Sequence, residues 1–263
     1  MRRNNDFLYQ AASLIAAVAV VHAVYVVLVR PNADAVLAAQ SAAMAADPGY
    51  VQERSAWVIV RDFEQEACFA LMLWAMAIMA MKAVMTARER RLHDLELVPL
   101  GAGTRILPDD AREYARQIES LPAGRRNALL PRSLLAALNR FGATRSIQDA
   151  SATAQAVCES ESERLDAELS MLRYIAWAIP SIGFIGTVRG IGSALGLAHQ
   201  AVEGDIAGVT ESLGIAFNST FIALLISIVL MFLLHQLQLT QERLVMETEG
   251  YLDQRLVQHL KEA

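Results

Sequence analysis

A chain of 263 residues with 54% hydrophobic content and a mean hydropathy of +0.31 is more apolar than soluble domains, where apolar residues make up about 45–50%. Its 28 acidic and 23 basic residues leave a net charge of −5 with no long basic block, which argues against nucleic-acid binding. Cys68 and Cys158 are the only cysteines, and His22, His93, His199, His235 and His259 are scattered. Neither a disulfide framework nor metal-ligand spacing follows from this pattern, no nucleophile–base constellation marks a membrane enzyme, and no cofactor is expected.

The sequence predicts an all-α membrane protein: four transmembrane helices, with long helices extending into a helical cytoplasmic domain. Residues 1–10 form a short N-terminal segment, and 11–29 are apolar over enough length for a first span, since about twenty apolar residues cross a bilayer. Arg2 and Arg3 precede this run and no small-residue cleavage site follows, so it reads as an uncleaved signal anchor. His22 is a polar group in its middle and is expected to bond a neighbouring helix. Residues 30–66 read as a polar outer connection in which Pro31 and Asp47-Pro48-Gly49 are turn signals. Within it, the alanine-rich stretch 33–46 is expected as a short interfacial helix. The second span covers 67–85, with Lys82 placed to snorkel and Met72, Met76 and Met79 forming a helix–helix or lipid-facing stripe.

Residues 86–173 form a cytoplasmic helical domain. The second helix continues to Leu97, and Pro99, Gly101, Gly103 and Pro108 break it. Asp109 and Asp110 are expected to cap a helix that runs to Leu121. Pro122 and Gly124 end it; Pro131 begins the next helix and Gly142 closes that one. From Ser146 to Ala178 nothing interrupts the pattern, which predicts one long helix entering the third span, 174–198. Glu159, Glu161, Glu163, Asp166 and Glu168 on this helix read as a solvated face, or as a docking surface or cation-attracting vestibule. A short outer loop (199–212), a fourth span (213–234) and an amphipathic C-terminal helix (235–263) complete the chain. Lys82, Arg88, Arg90 and Arg91 after the second span outweigh Arg30, Arg54 and Arg61 in the first outer loop. The second outer loop holds no Lys or Arg between His199 and Glu211, so the balance puts both termini in the cytoplasm.

The third span carries unusual residues for an anchor. At about 100° per residue, Gly183, Thr187, Gly190, Ile191 and Ala194 share one face. Gly186 and Gly192 remove further bulk, and small residues allow close helix approach; with Pro180 they are expected to serve packing or hinging. Arg189 lies on the opposite side. An arginine in mid-membrane costs about 2.5–3.5 kcal/mol, so it needs a partner, Glu64 or Glu66, or an escape to the interface. On the fourth span, Leu213, Ala216, Thr220, Leu224, Ser227 and Met231 share a face, while Asn218 points away. Threonines in such helices commonly bond their own backbone four residues back.

Gly186-Thr187-Val188-x-Gly190-Ile191 resembles the GTVxGI signature of the MotA/TolQ/ExbB proton-channel family, and Pro180-Ser181-Ile182-Gly183 is similar to the proline-led start of the equivalent helix in its flagellar branch. Ala216-Phe217-Asn218-Ser219-Thr220-Phe221-Ile222-Ala223-Leu224 resembles the family's last helix, ALxATxxGL, with Thr220 at its threonine. The close likeness covers residues 174–235. It implies a stator subunit of the bacterial inner membrane whose copies, a pentamer, surround two partner helices. Thr187, Thr220, Gly183, Gly190, Ala194, Ala216 and Ser227 would then line the passage. Ile215 stands where a family acid often precedes the second threonine, and Val229 replaces a later proline. The titrating carboxylate is therefore expected from a single-span ExbD/MotB-like partner with a membrane aspartate. Ion flow, of protons or sodium, would drive mechanical work on the envelope; the alternative is a non-conducting oligomeric scaffold.

Overall fold

The computed structural model describes residues 2–47, 50, 53–95, 97–98 and 105–262, with residues 2–7 as backbone alone. Pro48, Gly49, Pro99, Gly101 and Gly103, the sequence's turn and break signals, lie outside the described residues. No strand occurs among the described residues; four helices, 8–46, 63–94, 147–196 and 207–259, are long and apolar enough to cross a membrane. The protein is an all-α membrane protein. Its chain divides into two compact units, Met1–Met79 with Met171–Leu234, and Ala80–Ser170 with His235–Ala263.

In the first unit, helix α1 (Arg2–Val24) passes through a π-helical turn (Tyr25–Val29) into α2 (Arg30–Ala46). Pro31 therefore does not end the helix, as its turn-forming character had implied, and residues 33–46 continue it. Proline lacks an N–H and its ring crowds the carbonyl four residues back. The chain widens by one residue there, so that the Arg30 N–H bonds the Tyr25 carbonyl. Such i→i+5 turns relieve this crowding inside α-helices. After a short helix α3 (Ala56–Ile59), α4 (Phe63–Arg90) packs Ala70, Phe69 and Leu73 against Val21, Tyr25 and Val29 of the first helix. Trp74 Nε1 donates to the Gln10 carbonyl at 2.9 Å, fixing the same pair further along. Phe184, Val188, Phe221, Ile228 and Phe232 are exposed, which is what a face turned to lipid requires.

The second unit has its own core. Helix α5 (Ala111–Glu119), a short α6 (Ala123–Arg126), α7 (Leu129–Thr144) and α8 (Ile147–Glu168) bury Ile118, Leu130, Leu134, Leu138 and Phe141 against Val245, Leu252 and Leu256 of α11 (Ala207–Arg255). Residue 106 pairs with the tail, where the Ile106 N–H bonds the His259 carbonyl at 2.8 Å and the Lys261 N–H returns to Ile106 at 3.0 Å. Gly142 does not close α7; the helix continues to Thr144 and ends on Arg145 in the left-handed region at φ 57°. Asp110 caps no helix with its side chain but accepts from the Leu107 N–H at 3.2 Å. The long helix expected after Ser146 is interrupted once, at Leu169, before α9 (Ser170–Gly196) begins, and a short α10 (Ala198–Val202) follows it.

Lys82 does not snorkel. It is 7% exposed and bonds Glu168 at 2.8 Å. Arg164 joins Glu168 to Glu161, and Arg132 closes on Glu161 at 2.7 Å. Burial opposes ionisation of Glu161, but hydrogen bonds and charge from Arg164 and Arg132 prevail and hold its carboxyl below the usual range. Glu161 and Glu168 of the 159–168 cluster thus sit in ion pairs rather than on a solvated face.

Candidate functional site

The geometry begins with absent side chains. A Cβ on Gly183 would fall 2.4 Å from the Cβ of Ala223, and one on Gly190 would fall 2.7 Å from that of Ala216. On Gly186 it would meet Ser219 Cβ at 2.5 Å. Real Cβ atoms do not approach so closely, so these three glycines let the backbones of α9 and α11 come together, as small residues do in membranes. Gly183, Gly190 and Ala216, expected along the passage, are spent within one chain on this contact, together with Ser219 and Ala223, which the sequence did not single out. Ala194 is buried on the same side. Gly192 has open space around it and Ile191 is exposed.

Close approach places two hydroxyls side by side. Thr187 Oγ1 lies 2.5 Å from Thr220 Oγ1. Thr220 Oγ1 lies 3.0 Å from the Gly183 carbonyl, while Thr187 Oγ1 lies 3.0 Å from the Ala216 carbonyl and 3.4 Å from that of Gly183. Gly183 and Ala216 are the residues four before Thr187 and Thr220. Each threonine thus reaches the carbonyl that the other would have used in ordinary back-bonding. One proton per hydroxyl serves these contacts, and the 2.5 Å approach needs one of them between the oxygens: either Thr187 donates to Thr220 and Thr220 to Gly183, or Thr220 donates to Thr187 and Thr187 to Ala216. Both donors are consumed inside the chain, leaving only acceptor lone pairs to any third group.

Pro180 stands inside α9 and leaves the Ala176 carbonyl without its intrahelical donor. Ser227 Oγ bonds that carbonyl at 3.3 Å. Ser227, expected among the passage residues, thus fills the gap that proline opens, the way neighbouring hydroxyls re-satisfy freed backbone in membrane helices. The spacing of Pro180 and Ser227 on separate helices gave no hint of this.

Charges form a second layer in the same unit. Arg189 bonds Glu64 at 2.8 Å, which selects Glu64 from the two candidate partners. Glu66 is held instead by Arg30 at 2.5 Å and by His22 Nδ1 at 2.7 Å. His22 thus does bond a neighbouring helix. The carboxylates Glu64 and Glu66 are each committed to a cation, whereas Asn218 has no hydrogen-bond partner among the described residues.

The model of one protein family, described as the MotA/TolQ/ExbB proton channel family, matches residues 126–250. No curated protein and no solved structure matches the chain. The matched stretch holds Thr187, Thr220 and the glycine contact that brings them together, and over these residues the chain is similar to the MotA/TolQ/ExbB proton channel family.

Proposed function

We propose that this protein is the channel-forming stator subunit of an oligomeric complex in the bacterial inner membrane, with both termini in the cytoplasm. In this reading several copies, a pentamer by family resemblance, surround single-span ExbD/MotB-like partner helices, and ion flow through the complex performs mechanical work on the envelope. The observation that carries the reading is the Thr187–Thr220 hydroxyl pair inside the family-matched stretch. One of its protons bridges the two hydroxyls and the other goes to a backbone carbonyl, so it offers acceptors alone. A protonated partner carboxyl can donate to such a pair, while an ionised carboxylate finds no donor there. The pair therefore favours the neutral, proton-carrying form of a partner aspartate at this depth and leaves release to a different position. The chain's own Glu64 and Glu66 are tied to Arg189 and Arg30, which supports a carboxylate supplied in trans. Gly183, Gly190, Ala194, Ala216 and Ser227 then act as the scaffold that sets the threonines in place.

The test is proton uptake into proteoliposomes holding the purified complex, followed with a pH-sensitive dye. Thr187→Val and Thr220→Val each remove a hydrogen bond of about 1 kcal/mol, which corresponds to a fall in flux of roughly five- to tenfold. Serine at either site retains most of it. Valine variants that conduct at the unmodified rate overturn the proposal, as does an intact oligomer that passes no protons, which is then a scaffold.

A further inference from the structure

In the second unit a cleft of about 160 Å³ opens between α8 and α11. Its wall residues recur at i, i+3, i+4 and i+7 on both helices, from Ser162 to Leu169 and from Gln238 to Val245, so two helical faces line it squarely. Leu165, Leu169 and Val245 give an apolar floor, and Asp166 and Glu242 bring carboxylates to the wall. Acidic residues alone would say little. Gln241 adds an independent fact: it is 3% exposed, it lines the cleft, and its buried Oε1 has no hydrogen-bond partner among the described residues. A buried amide oxygen left unpaired costs about 1–3 kcal/mol, so such a group in a native fold calls for a donor from elsewhere.

We propose that the cleft receives the side chain of a lysine or arginine from the cytoplasmic flank of the single-span partner. The alkyl stem lies on Leu165, Leu169 and Val245, the cation faces Asp166 and Glu242, and one N–H satisfies Gln241. A bare metal ion fits poorly, because an apolar floor coordinates nothing and no group of three metal-ligating side chains occurs among the described residues. A long basic side chain has both parts the cleft offers, a methylene stem and a charged head. The source follows from the positive-inside rule: the segment next to a single membrane span carries Lys and Arg on its cytoplasmic side. In sequence the cleft residues lie just before α9 and shortly after residue 234, next to the third and fourth apolar spans. The choice of partner rests on the function proposed above; the chemistry of the cleft does not.

The experiment uses the full chain in detergent micelles, labelled with 15N-glutamine, and the tripeptide amides acetyl-Ala-Arg-Ala and acetyl-Ala-Lys-Ala as probes. The expected result is a saturable shift of the Gln241 side-chain signal, identified by its loss in Gln241→Leu, and a response weakened at least about fivefold by Glu242→Gln. The same tripeptide with norleucine, an uncharged stem, is expected to leave the signal in place. No shift with the basic peptides, or an equal shift with norleucine, overturns the proposal. In the co-purified complex, a photocrosslinker at Gln238 is expected to label residues just before the partner's span. A partner that co-purifies without that crosslink overturns the docking while leaving the channel reading intact. Failure of any single-span partner to co-purify overturns the channel reading and the assignment of the partner, whereas the peptide shift still decides the cation site.

Discussion

A methyl group added at Gly183 or Gly190 has nowhere to go, because the atoms it would strike belong to the backbone and Cβ of α11. Overpacking of this kind costs about 1–3 kcal/mol when neighbours can shift; against a rigid helix backbone the upper end is expected. Gly183→Ala and Gly190→Ala should each lower the thermal midpoint of the purified protein in detergent and weaken the Thr187–Thr220 approach. Gly192→Ala meets open space and gains up to about 1 kcal/mol of helix propensity, so its midpoint should hold or rise. Equal effects at all three positions would show that the close contact does not form. Glu161 makes the other prediction at this scale. Its carboxyl is held below the usual range in the folded protein, so its ion pairs stabilise fully above the ordinary carboxylate value of about 4.3. That contribution is lost as pH falls through the lowered folded value. Glu161→Gln should cost about 1–3 kcal/mol near neutral pH, a figure reduced from that of a fully buried pair because Arg132 and Arg164 are nearly half exposed. The gap from the unmodified protein should close on acidification, as measured by near-UV circular dichroism melts between pH 7 and 3. A gap that widens in acid would refute the assignment.

Among the elements, the membrane helices are tied by polar contacts at places where their backbones are imperfect. The π-helical turn before Pro31 and the Ser227 hydroxyl opposite Pro180 are two answers to the same fault, a carbonyl crowded or deprived by proline. Arg189 and Glu64 tie α9 to α4. Glu64 is 12% exposed and Arg189 51%, so the bond is half screened, and removing one partner leaves a charge in the span. Arg189→Ala is expected to impair assembly more than ion flow. The recovered oligomer should fall severalfold while the flux per assembled complex stays close to normal. The double variant Arg189→Ala with Glu64→Gln should recover part of the loss, since no unpaired charge remains. Recovery of normal oligomer from the single variant would dismiss the pair as an assembly contact.

For the whole molecule, orientation is open to a direct check. Cys68 and Cys158 are both buried, so the unmodified chain gives little background labelling. With Glu203→Cys, a membrane-impermeant maleimide should react on intact cells stripped of the outer membrane; with Arg125→Cys, it should react only after permeabilisation. The opposite result inverts the topology. At this scale much was legible from the sequence: an all-α fold, four long apolar helices, and a family signature in two strings whose order and spacing are linear properties of the chain. Thr187 and Thr220 were legible as hydroxyls in apolar runs. Their partners were not, since helical periodicity predicts bonds to the same helix and the structure exchanges them between helices. Gly183 and Gly190 were recognisable as small, but whether a smooth face meets a passage or a neighbouring helix depends on what lies opposite. Gln241 and the Lys82–Glu168 pair were hidden for the same reason, because their burial comes from segments distant in sequence.

The sequence by itself determined that this is an all-α membrane chain with four long apolar helices and motifs similar to those of the proton channel family, because apolar run length and local motif spacing are set along the chain. Only the tertiary structure decided that three glycines serve the α9–α11 contact, that Ser227 answers Pro180, that Glu64 rather than Glu66 takes Arg189, and that the two threonines share their protons. Each of these depends on distances between helices, and a few tenths of an ångström there separate a hydrogen bond from an empty gap.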